Sequence, residues 1–162
     1  MRKIALIACL AALTAGVTAE AKPDAGFAKA AARIRAAFEQ QQQMPLEADL
    51  YADQLFVDHN YEPGRVVNAA EFIQGVTREL AAAKKVGSNR KAEVTRILEA
   101  PEQNTVVTTV RMTGELADGT KTDFSIAYFF EIENGRVKHL QTWYDRKGNE
   151  AQTAAIQSEM KK

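Results

Sequence analysis

His59 is the side chain in this sequence best suited to proton transfer. It ends the apolar segment Leu55-Phe56-Val57-Asp58-His59 and stands between Asp58 and Asn60. An imidazole can take and return a proton near neutral pH, which makes His59 a candidate general base. Tyr128 and Tyr144 could donate a hydrogen bond to an oxyanion developing on a substrate carbonyl. Those three are the candidate catalytic residues. Thr108 and Thr142 would add hydroxyls, and Phe130 and Leu140 apolar surface, to a substrate-binding wall. Each also fits a structural role: a histidine hydrogen-bonded at a strand end, and tyrosines or threonines packed at alternate strand positions.

Other chemistries are poorly represented. Two histidines without a carboxylate cluster or nearby cysteines give no metal-ligand spacing, so no metal and no cofactor is expected. The sequence has no glycine-rich phosphate loop and no nucleophile elbow. Charge is balanced at 21 basic and 21 acidic residues, with no basic stripe interleaved with aromatics, so nucleic acid is not an expected partner. Lys84, Lys85, Arg90 and Lys91 bracket a Gly-Ser-Asn turn and read as a solvated helix end.

The elements that must position these residues are legible from periodicity. Asp24 can cap a helix in which Phe27, Ala31, Ile34 and Phe38 recur at helical spacing through about Gln43. Leu46 to Gln54 reads as a second short helix, Leu55 to His59 as a short strand, and Asn60 to Arg65, with Pro63-Gly64, as a loop. Asn68-Ala69-Ala70-Glu71 forms a capping box before a helix with Phe72, Ile73, Val76, Leu80 and Ala83 as its apolar stripe. Four strands follow: Lys91 to Ala100, Thr105 to Leu116, Thr122 to Ile132 and Arg136 to Asp145. The expected fold is α+β, a curved antiparallel sheet packed against N-terminal helices around a cone-shaped cavity.

The last two strands meet at Asn134-Gly135, and their register decides which residues face inward. A two-residue type I′ turn sets Tyr128 opposite Gln141. A three-residue loop with a bulge at Gly135 sets Tyr128 opposite Leu140 and Ile126 opposite Thr142. The bulged form is preferred, because it gathers Phe124, Ile126, Tyr128 and Phe130 with Leu140, Thr142 and Tyr144 on one apolar face. The other face then carries Phe129, His139 and Trp143, a patch suited to a homodimer interface.

The amino terminus reads as a secretory leader. Arg2-Lys3 precedes the apolar run Ile4 to Leu13, and small residues continue to cleavage points after Ala19 or Ala21. The run is shorter than the ~20 residues that span a bilayer. Residues 1–21 are therefore assigned to a signal peptide, 22–148 to one domain, and 149–162 to a polar tail that reads as a loose helix. Periplasmic or secreted localisation follows, with no membrane partner after cleavage. Removing Arg2, Lys3 and Glu20 leaves 19 basic against 20 acidic residues. Cys9, the single cysteine, leaves with the leader, and Leu6-Ile7-Ala8-Cys9 is a poor lipoprotein site because almost no hydrophobic run precedes it.

Two stretches resemble SnoaL-like members of the nuclear transport factor 2-like superfamily, whose fold is shared by ketosteroid isomerases. They are Tyr51 to Asn60 with Gly64 and the Phe72 helix, and Phe129 to Val137 running on to Trp143-Tyr144-Asp145. The resemblance covers most of Phe27 to Asp145 and implies the fold more strongly than an activity. It puts His59 where ketosteroid isomerases carry their general-base aspartate, and Tyr128 where they carry an oxyanion-stabilising acid. Leu140 and Thr142 stand where limonene epoxide hydrolases need an aspartate, which disfavours that chemistry. The expected function is binding of a small, largely apolar molecule. One alternative is a cofactor-independent isomerase, cyclase or dehydratase acting on a carbonyl compound through His59; the other is an interaction module using the open sheet face.

Overall fold

The computed structural model describes residues 23–40, 44–60 and 62–162; the expected leader, Cys9, both cleavage points and Gln41 to Gln43 lie outside them. The chain runs α1 (Phe27–Glu39), β1 (Tyr51–His59), β2 (Glu62–Asn68), α2 (Ala69–Val86), β3 (Gly87–Ala100), β4 (Thr105–Leu116), β5 (Lys121–Glu133), β6 (Arg136–Tyr144) and α3 (Arg146–Met160). The strands form one six-stranded sheet in the order β2-β1-β6-β5-β4-β3. Neighbours are antiparallel except β1 and β6, which run parallel, so the sheet is mixed rather than wholly antiparallel. The α+β class stands.

α1 buries Phe27, Ala30, Ala31, Ile34, Ala37 and Phe38 along one stripe. The Phe38 ring lies 5.7 Å from that of Tyr128 and 6.1 Å from that of Phe130, so α1 fills the sheet's concavity at that end. Asp24 does not cap the helix proper. Its carboxylate accepts from the backbone N–H groups of Gly26, Asn134 and Gly135, pinning the entry of α1 to the β5–β6 turn. The two backbones touch there: a Cβ on Gly26 would overlap the Gly135 Cα.

Three early elements differ from expectation. The short helix at Leu46 to Gln54 is only a 3-10 turn at Ala48–Leu50, and β1 starts at Tyr51. Tyr51, Leu55 and Val57 are all buried at odd positions, and this strand parity prevails over the helical spacing of Leu46 and Leu50. The expected loop at Asn60 to Arg65 is largely strand β2, with Pro63-Gly64 inside it. β2 is an edge strand, where proline's missing N–H costs no ladder bond, and the Phe56 ring occupies the space over Gly64. The Gly-Ser-Asn segment is the start of β3 rather than a turn, with a bulge between Ser88 and Lys91 and Asn89 at φ 51°.

α2 is capped as expected at its start, where the Asn68 side chain accepts from Ala70 N at 2.9 Å. The tail is an ordered helix, α3, capped by Asp145 accepting from Lys147 N at 3.1 Å. α3 buries Ile156 against Ala82 and Ala83 of α2, and Lys85 pairs with Glu159 at 3.3 Å. Its first turn rests on β5 through Gly148, where a Cβ would meet Asp123 O at 2.7 Å.

Neither expected hairpin register occurs. The turn is two residues long, Asn134 and Gly135 both having positive φ (54° and 73°), and Glu133 opposes Arg136. The bulge lies in β6, where Lys138 is the extra residue between the pairs Ile132–Val137 and Glu131–His139. Tyr128 therefore opposes Thr142 and Ile126 opposes Tyr144. Relative to the preferred register this is a slip of two, which preserves side-chain parity. Phe124, Tyr128, Phe130, Leu140 and Thr142 are accordingly buried together, with Trp143 outside.

Candidate functional site

A hollow of about 640 Å³ lies between the concave sheet face, α2 and α3. Its existence explains a feature of α2: Phe72, Val76 and Leu80 stand on the apolar stripe yet are only half-buried, because one side of each looks into the space. Phe124, Ile126 and Leu140 form the sheet side of the wall, and Ile156 and Met160 the α3 side. α3 thus supplies one wall of the site, a role not legible in the polar composition of residues 149–162.

His59 lies on that wall, held by the end of β1. Asn60 N donates to Thr142 O at 3.1 Å, and Asn60 Nδ2 donates to Tyr144 O at 3.1 Å, tying the ends of β1 and β6 together. This sets His59 opposite Thr142, with its ring 6.4 Å from the Tyr144 ring. Asn60 is thus a clamp between the two strand ends. The His59 Nδ1 is buried without a hydrogen-bond partner, so it is open to a ligand proton or donor.

Among the described residues, six charged ones not anticipated as site residues share the hollow: Glu62, Arg65, Glu71 and Arg78, all exposed, and Glu79 and Arg90, whose pKa values their surroundings shift. Glu79, from α2, retains solvent-accessible surface yet is crowded by protein, as befits a side chain lining a concavity. Burial raises its pKa above the usual carboxylate value, against a smaller opposite pull from the charges of His59 and Arg90. Arg90, from β3, is half-buried, and burial lowers its pKa, only partly offset by Glu79. Tyr128 is pushed up, first by burial and then by the Glu79 charge. Glu79 lies three residues beyond Val76 and seven beyond Phe72, on the apolar stripe of α2, which is the signal that could have found it. Arg90 shares strand parity with Ala92 and Val94, which points it inward rather than into a solvated cluster.

The other expected residues divide by depth. Tyr128, Tyr144, Leu140 and Thr142 line the hollow with His59. Thr108 and Phe130 lie in the packed core, both fully buried, Phe130 against Phe38 and Thr108 on β4 beside Tyr128. Phe129, His139 and Trp143 are on the opposite face of the sheet. There His139 lies 5.0 Å from the Phe56 ring, with Nδ1 3.2 Å from Glu131 and Nε2 3.5 Å from Asp58; Trp143 is 51% exposed. Among the described residues no group of three or more His, Cys, Asp or Glu is placed to hold a metal ion.

Comparison of the backbone with solved structures settles the architecture. A nuclear transport factor 2-like protein of unknown function from Cytophaga hutchinsonii matches 72% of this chain and 97% of its own, with a TM-score of 0.57 at 14% identity. The chain has the nuclear transport factor 2-like fold. A steroid delta-isomerase from Pseudomonas aeruginosa shares this fold over 85% of this chain and 93% of its own (TM-score 0.57, 12% identity). So does a candidate SnoaL-like polyketide cyclase from Jannaschia sp. CCS1, over 82% and 92% (TM-score 0.54, 13% identity). No protein-family model and no curated protein matches the sequence. At these identities the likeness establishes the nuclear transport factor 2-like fold with its cavity, and the chemistry must be argued from the side chains.

Proposed function

We propose that this chain is an exported, periplasmic or secreted domain that binds a small, largely apolar molecule in the hollow between sheet, α2 and α3. The observation that carries the reading is the hollow itself. Its volume of about 640 Å³ falls within the range of small-molecule sites, and its wall sets a continuous group of aliphatic and aromatic side chains beside a comparable number of polar and charged ones. The leader composition supports export. Native mass spectrometry of protein purified from a bacterial periplasm is the test. A retained small molecule is expected. Protein that carries none, and takes up none of a panel of apolar compounds, refutes the reading.

A second reading is favoured by the grouping of His59, Glu79, Tyr128 and Tyr144 around one space: cofactor-independent acid–base chemistry on a carbonyl compound. His59 Nδ1 would take a proton from the carbon beside the carbonyl, a tyrosine hydroxyl would donate to the enolate oxygen, and the proton would return at another carbon. Turnover on a candidate ketone should fall at least ~100-fold in His59→Ala, the lower end for loss of a general base. Undiminished turnover removes this reading and leaves the binding one in place. For assembly we propose a homodimer through the outer sheet face, supported by the exposed Trp143 on the same face as the Phe56–His139 pair. Sedimentation showing a monomer at micromolar concentration, unchanged by Trp143→Ala, would argue against it.

A further inference from the structure

We infer that Arg90 anchors a single carboxylate on an otherwise apolar ligand, so that the cavity takes amphiphilic monocarboxylic acids. This rests on the ligand-binding reading and narrows it to a chemical class. The argument begins with how this chain treats arginine. Arg33, Arg111 and Arg136 pair with Asp49, Asp123 and Asp53 at 2.7, 2.6 and 3.3 Å, and Arg35 pairs with Glu99, all away from the hollow. Among the described residues, Arg65 and Arg78 also line the hollow without a carboxylate in ion-pair distance, but both are exposed to water. Arg90 is the lining arginine that is half-buried, and among the described residues its interaction with the Glu79 charge is not an ion-pair contact. A guanidinium removed from water without a partner is costly, and a ligand carboxylate is the group that recovers that cost in bidentate geometry.

The backbone around Arg90 is shaped to put it there. The β3 bulge leaves Asn89 and Arg90 together opposing Gly114, with Asn89 in the left-handed region. Gly114 makes room for the Arg90 stem: a Cβ at that position would lie 3.1 Å from Arg90 Cγ and 3.5 Å from its Cα. Val76, Leu80, Met112, Phe124, Ile126 and Leu140 supply the apolar part of the same wall, against which a hydrocarbon body can pack. Glu79 shares the hollow; its surroundings raise its pKa above the usual carboxylate value, and a ligand carboxylate beside it would raise it further, which lessens its repulsion of the anion.

The test uses decanoate and decan-1-ol as probes, titrated calorimetrically at low salt into the mature protein and into Arg90→Gln, Arg90→Lys and Arg111→Gln. Arg111 lies on the exposed side of β4, so its loss controls for net charge. Wild-type protein should bind decanoate at least tenfold tighter than decan-1-ol. Arg90→Gln should weaken decanoate by about tenfold to a hundredfold, the range for loss of a charged hydrogen bond, and leave decan-1-ol unchanged. Arg90→Lys should fall between, and Arg111→Gln should match wild type. Decan-1-ol binding as tightly as decanoate in the wild type overturns the inference while sparing the cavity reading, and that comparison stands even if Arg90→Gln fails to fold. Decanoate binding unaffected by a folded Arg90→Gln overturns it as well. Binding of neither probe overturns it, and failure with the wider apolar panel would take the cavity reading with it.

Discussion

Gly75 offers a perturbation that separates stability from function. It lies in the interior of α2, lines the hollow, and has nothing within 4 Å of an added Cβ. Glycine inside a helix costs roughly 0.5–1 kcal/mol relative to alanine, mostly unfolded-chain entropy. With no steric penalty to offset that gain, Gly75→Ala should stabilise the protein by the same amount. For a domain of about 140 residues the unfolding entropy at the midpoint is about 0.3 kcal/mol/K, so Tm should rise by about 2–3 K. Gly75→Phe should behave differently. Its helix propensity is about 0.5 kcal/mol poorer than alanine's, so stability should return close to wild type, while the ring projects into the hollow and displaces ligand. Calorimetry and retention of bound small molecule in native mass spectrometry measure the two effects on the same samples. A lowered Tm in Gly75→Ala would mean that position 75 does not face open space. Undiminished ligand retention in a folded Gly75→Phe would move the binding site elsewhere.

Core and caps give independent checks. Phe130→Ala should cost about 3–5 kcal/mol in denaturant unfolding, because the ring is fully buried beneath Phe38. Asn68→Ala should cost about 1 kcal/mol through loss of the bond from Ala70 N, with the loss confined to helix stability and ligand binding retained. The Asp24 pKa is lowered in the folded state by backbone donors, that of Gly26 first and then those of Asn134 and Gly135. A depressed carboxylate stabilises above its unfolded value, here 3.8, and that contribution is lost as pH falls through the lower folded value. Asp24→Asn should therefore flatten the acid limb of the stability profile below about pH 4 and leave the alkaline limb unchanged.

Parity explains most of what was legible in the sequence. Alternation within Thr105 to Leu116 and Phe124 to Tyr144 specifies which side chains are buried, and a register error of two leaves that assignment intact. The pairings themselves depend on a bulge at Lys138, which no local composition signals. Pro63-Gly64 reads as a loop because local turn chemistry cannot know that the segment will lie at a sheet edge. His59, Tyr128, Tyr144, Leu140 and Thr142 were legible as cavity residues because they sit on strands of clear parity. Glu79 and Arg90 were not, since each adjoins another charged residue, Arg78 and Lys91, and a charged pair reads first as solvated surface. Their inward aim depends on a hollow that tertiary packing creates.

The parallel pairing of β1 with β6 also constrains how the molecule assembles. Asp58 and Gln141 stand side by side although 83 positions separate them, whereas β3 to β6 form a meander of local hairpins. Closing so long a loop is slow compared with zipping successive hairpins. The meander can therefore form as soon as its strands emerge, while the β1–β2 arm waits for the last strand to be made. His59 reaches its place only in that final docking, so any binding activity should appear in refolding after most of the β-structure is already present.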